Sequence, residues 1–161
     1  MQTSTAHKKL LRKIRYSIVF FMIALALSGI TAFPLETELH WLLQFSNHLP
    51  AAPAAFITKV YEALQYTNQH YPMLAYGYDW LAFAHLVIAL FFIGPLKDPV
   101  KNIWVIEWGM IACVAIFPLA FIAGPVRGIP FYWKCIDCSF GVIGIIPLYF
   151  VRKWIKQLEY G

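Results

Sequence analysis

The sequence predicts an all-α integral membrane protein, a four-helix bundle with a short amphipathic helical cap. Three observations predict it. Hydrophobic residues make up 60% of the chain and charged residues only 13%, about half the charge of a soluble domain. The apolar residues gather in four runs of spanning length. Ten of the thirteen Lys and Arg residues fall in three clusters beside those runs: Lys8, Lys9, Arg12, Lys13 and Arg15; Lys97 and Lys101; Arg152, Lys153 and Lys156. Such a bias orients spans with their basic ends in the cytoplasm. It also explains the net charge of +5 without nucleic acid as a partner; the partner this composition calls for is the lipid bilayer.

The first 16 residues read as a basic cytoplasmic leader, followed by a first span over 17–33. A cleaved signal peptide competes, but Ile30 occupies a position that cleavage would want small, and the amphipathic continuation after Pro34 favours a retained span. Residues 34–74 are too polar to cross. Leu35, Leu39 and Leu42 recur at helical spacing, as do Phe56, Val60 and Leu64 after Pro53, so two short amphipathic helices are expected to form an extracytoplasmic cap. The second span is expected over 75–94, ended by Gly94-Pro95. The third covers 103–123, with Pro118 as a kink. A stiff outer loop, Gly124–Pro130, leads to a fourth span over 130–151. Both termini then lie in the cytoplasm, and the charge bias fits a bacterial inner membrane. The whole chain, 1–161, forms one polytopic domain.

Ionisable residues within spans are costly and mark candidate sites. At 1.5 Å of rise per residue, Asp79 and Asp137 lie at similar depth, roughly 21–22 Å from the cytoplasmic ends of their spans. His85 lies deeper, near the midplane. Asp137 shares a helix face with Gly141, Gly144 and Leu148, and His85 with Ala82 and Ala89; small residues on a face let another helix approach. Asp79, His85, Arg127 and Asp137 are therefore the candidate ligand-binding residues of an outer-half pocket, bordered by Lys134 and Ser139. That pocket would bind a small polar or amphiphilic ligand or seat a membrane protein partner.

Each residue also has a structural reading. Asp79 would cap the second span, and Asp137 would pair with Arg127. His85 would hydrogen-bond a neighbouring backbone group, Glu107 would pair with Arg15 or Arg12, and Cys113 would pack. His40, His48 and His70 lack metal-ligand spacing.

Cys135-Ile-Asp-Cys138 places a C-x-x-C at the start of the fourth span, where the helix dipole favours thiolate. Together with the four-span topology, it resembles the vitamin K epoxide reductases and DsbB-type thiol–quinone oxidoreductases. The resemblance implies a quinone cofactor and catalytic roles for Cys135 and Cys138. The 34–77 connection has no cysteine, so the second pair those families use is missing, and Asp137 between the thiols opposes thiolate formation. A haem held by His85 is the third reading, with one membrane histidine to support it.

Overall fold

The computed structural model describes residues 2–160. The chain is 90% helical, without strands among the described residues. In order it forms α1 (Gln2–Ala32), α2 (Leu35–Gln44), a 3-10 turn (Ser46–His48), α3 (Ala51–His70), α4 (Pro72–Phe91), α5 (Ile93–Lys97), α6 (Ile103–Val126) and α7 (Phe131–Tyr160). Four segments are long and apolar enough to cross a membrane: Thr5–Ala32, Pro72–Lys97, Ile103–Val126 and Phe131–Tyr160. The four expected spans are present, and their ends differ from expectation.

The basic leader is not separate from the first span. α1 runs unbroken for 31 residues, because its polar part is built from Lys, Leu, Arg and Ala, all good helix formers, with no glycine or proline before Gly29. α7 likewise continues past the expected end at 151 to Tyr160. The second span begins earlier than expected, at Pro72, a residue well suited to a first helical turn. Gly94-Pro95 does not end it. The chain breaks at Phe92, and Pro95 enters the first turn of α5, where its missing N–H breaks no bond.

The chain divides into two compact units, one of residues 1–23 with 89–161 and the other of residues 24–88. In the first, α6 and α7 form an antiparallel hairpin whose register is fixed by successive contacts. Lys134 lies against Gly124, Gly141 and Gly144 against Cys113, and Leu148 against Gly109. A methyl group on Gly141 would sit 2.5 Å from the Cys113 carbonyl oxygen, so only glycine permits this approach. Lipid offers apolar side chains as good a surroundings as another helix does, and helix association therefore rests on such close contact.

α1 joins the hairpin at the end that carries the termini. Phe21 packs against Phe92 in a tilted arrangement with ring centroids 4.9 Å apart and also reaches the Gly144 position. Lys13 lies over the Trp154 ring. Ile14, Ile18, Phe92, Ile106, Leu148, Val151 and Ile155 are all 0–1% exposed and form the core of this unit. Arg15 donates to the carbonyl oxygens of Leu96 and Lys97, where a cation meets the negative end of a helix. Asn102 donates to the carbonyls of Gly94 and Asp98, closing the turn into α6.

In the second unit, α2 and α3 pair antiparallel over buried Leu39 and Ile57. α3 has 20 residues, so only one of the two expected short helices is short. Glu36 accepts a 2.6 Å hydrogen bond from Asn68, whose side-chain oxygen accepts one from the Tyr78 hydroxyl. This chain of bonds ties α2, α3 and α4 together. Gly29 of α1 packs against Ala82, His85 and Leu86 of α4.

Candidate functional site

The residues singled out by sequence fall in both units. Asp79 and His85 belong to α4 in the unit 24–88, and Arg127, Cys135, Asp137 and Cys138 to the α6–α7 hairpin.

Asp79 is not a helix cap. α4 begins seven residues earlier, at Pro72, which places Asp79 in its third turn, half-buried. Six residues separate Asp79 from His85. At 3.6 residues per turn they point roughly 120° apart and do not share a face. His85 packs against Gly29 and bonds the Leu81 carbonyl through Nδ1 at 2.8 Å. That is the structural role of a histidine satisfied by its own helix, with Nε2 left over. The remaining histidines lie in the basic part of α1 or in the α2–α3 region. No group of three or more His, Cys, Asp or Glu among the described residues is arranged to hold a metal.

The hairpin end is assembled differently. α6 closes in a Schellman turn: Ile129 N–H donates to Gly124 O, and Gly128 N–H to Pro125 O. Gly128 takes φ +68°, a left-handed conformation that costs other residues energy. The turn delivers Pro130, whose carbonyl accepts from Trp133 and Lys134 as α7 begins. α7 then presents Lys134, Asp137, Cys138, Gly141 and Gly144 along the side that meets α6.

Lys134 is the residue whose role the sequence understated. Its aliphatic stem crosses Gly124 so closely that a methyl there would lie 2.7 Å from Cδ. Its ammonium lies 5.8 and 5.6 Å from the ring centroids of Phe121 and Phe131, within cation–π range. A long cationic side chain thus lies down across a glycine between two phenyl rings. No sequence period announces this, because Gly124 and Lys134 are on different helices.

One turn on, Asp137 is half-buried. The hairpin register puts it level with buried Ala120. Neither Lys134 nor Arg127 pairs with it: among the described residues the one ion pair is Arg152–Glu107. The expected Asp137–Arg127 pair is not formed, because Arg127 closes α6 with its side chain exposed. Glu107 pairs with Arg152 at 2.7 Å rather than with Arg15 or Arg12, since the hairpin brings position 152 level with 107 while Arg15 is engaged by α5 carbonyls.

All three cysteines are free thiols: Cys135 is exposed, Cys113 and Cys138 buried. Cys113 occupies the glycine crossing, with its sulfur 3.1 Å from where a methyl on Gly144 would be, as expected for a packing residue. The site therefore offers a carboxylate and an ammonium one turn apart, both unpaired, bordered by aromatic rings and two thiols. No protein-family model, curated protein or solved structure matches this chain.

Proposed function

We propose that this multi-pass membrane protein is a ligand-binding or accessory subunit whose site is the hairpin end formed by Arg127, Lys134 and Asp137. The observation that carries this reading is the half-buried, unpaired Asp137 within a spanning helix. A carboxylate in such a place is costly unless something pairs with it. With Lys134 one turn away and Phe121 and Phe131 beside it, the arrangement suits an amphiphile whose polar head both donates and accepts hydrogen bonds. Under the positive-inside rule this end of the hairpin faces away from the cytoplasm.

The test is recovery of small molecules from protein purified in mild detergent, by extraction and mass spectrometry. An amphiphile that copurifies with the wild type and with His40→Ala, and falls at least tenfold with Asp137→Asn, supports the site. Equal retention by Asp137→Asn and wild type overturns it.

A second reading, a thiol–quinone oxidoreductase, draws on the exposed Cys135 one turn from Cys138. Two thiols would lose two electrons and two protons to a quinone, giving a disulfide and a quinol. Alkylation mass shifts with and without reductant test it. Cysteines that stay fully reduced in cells, or an intact function in Cys135→Ser, remove that reading.

A further inference from the structure

The far end of α7 carries a feature that the hairpin site does not use. Tyr149, Arg152, Lys153, Lys156, Gln157 and Tyr160 line one open groove of about 450 Å³. At 100° per residue they occupy a single side of the helix, an arc of roughly 140°. The opposite side holds Leu148, Val151 and Ile155, all fully buried. α7 is thus amphipathic where it outruns its apolar segment, with the core on one side and three cations framed by tyrosines on the other.

The groove is shallow and lined by α7 alone, with one of its cations fixed. Arg152 is held by Glu107 at 2.7 Å, which fixes one guanidinium at the edge of the hairpin. Lys153 and Lys156 form no ion pair among the described residues. Tyr149 lies in the last apolar turn, and Tyr160 is about 16 Å further along the axis. That distance runs from the hydrocarbon boundary through the headgroup layer, where tyrosines are at home.

We propose that this groove binds the phosphate of an anionic phospholipid headgroup, with Arg152, Lys153 and Lys156 as the phosphate ligands and Tyr149 against the acyl–glycerol region. The shared chemistry is a phosphate oxyanion, which free phosphate also offers. The position on α7, where that helix outruns its apolar segment, favours the headgroup.

The test is native mass spectrometry of the whole protein in a neutral detergent, with equal amounts of phosphatidylglycerol and phosphatidylcholine. The wild type is expected to retain phosphatidylglycerol preferentially. Lys153→Ala/Lys156→Ala is expected to retain it roughly tenfold less, since each lysine near a membrane surface contributes a several-fold gain. Lys97→Ala/Lys101→Ala removes the same charge without touching a proposed ligand: a headgroup held at Arg152, Lys153 and Lys156 leaves its retention within about twofold of wild type, whereas diffuse surface attraction would lower both variants alike. Unchanged retention by the first variant, or equal loss by the second, overturns the proposal. Displacement by millimolar inorganic phosphate as complete as by added phosphatidylglycerol assigns the groove to free phosphate and overturns the lipid assignment. If the double variant is unstable, acetylation of the wild type decides: phosphatidylglycerol should protect Lys153 and Lys156 and leave Lys97 reactive, and equal reactivity at all three refutes the site.

Discussion

Arg152 donates from Nε to Glu107 Oε1 at 2.7 Å, joining α7 to α6 four residues after α6 begins. The two side chains are 35% and 41% exposed, so the pair is screened and contributes about 0.5–1 kcal/mol. Glu107→Gln should lower the thermal midpoint in detergent by a few degrees. Arg152→Ala should cost more, because it leaves the carboxylate unpaired. The exchanged pair Glu107→Arg with Arg152→Glu should recover part of the loss. A double-mutant coupling energy of zero would show that the two residues act independently.

Gly141 is predicted to be the least replaceable glycine of the hairpin. Alanine there meets the Cys113 carbonyl oxygen, a backbone atom that cannot turn aside. We expect Gly141→Ala to destabilise the protein by about 1–3 kcal/mol, the usual range for overpacking. Gly77→Ala, with nothing within 4 Å of the added methyl, should be neutral or stabilising by up to about 1 kcal/mol, because alanine is the better helix former. Thermal unfolding of both variants in one detergent checks the contrast, and equal midpoints would contradict the close crossing.

Asn68 bonds both Glu36 and Tyr78. Its replacement by alanine should cost about 1–3 kcal/mol, because two partners lose their bonds at once. Tyr78→Phe removes one bond and should cost about 0.5–1.5 kcal/mol. Hydrogen exchange in residues 35–70 is the sensitive readout, with Asn68→Ala accelerating exchange more than Tyr78→Phe. Unchanged protection in both would mean that the Glu36–Asn68–Tyr78 bonds do not hold α2 and α3 together.

The cysteines should react in a fixed order. Cys135 is exposed, whereas Cys138 and Cys113 are buried. Brief treatment of the purified protein with a maleimide, followed by peptide mapping, should modify Cys135 first and the other two only after unfolding. Equal early labelling of Cys138 would contradict its burial against α6.

The paired residues behind these predictions show where sequence reasoning stops. Gly141 and Gly144 were legible as a face for close approach, because three- and four-residue spacing is a property of one helix. Cys113 as their partner was not, since nothing within either helix records which residue of the other lies opposite. Glu107 was read as pairing with Arg15 or Arg12; its partner is Arg152, which only the hairpin register brings level with it. The cap reading of Asp79, one of two offered for it, fails because α4 starts at Pro72, two turns before the apolar run becomes continuous. Lys134 was seen only as a neighbour of the site, because its position between Phe121 and Phe131 depends on the turn at Gly128.

By itself the sequence determined the four spans, the polar segment that pairs as α2 and α3, and the intramembrane residues worth attention. These follow from hydropathy, helical period and the cost of charge in lipid, all of which act along one stretch of chain. The tertiary structure alone decided which helices touch and at what register. It paired Glu107 with Arg152, laid Lys134 across Gly124, and left Asp137 half-buried without an ion-pair partner. The reason is physical: in lipid, contacts between helices are selected by shape at single residues such as Gly141, and shape complementarity joins residues whose distance along the chain carries no signal.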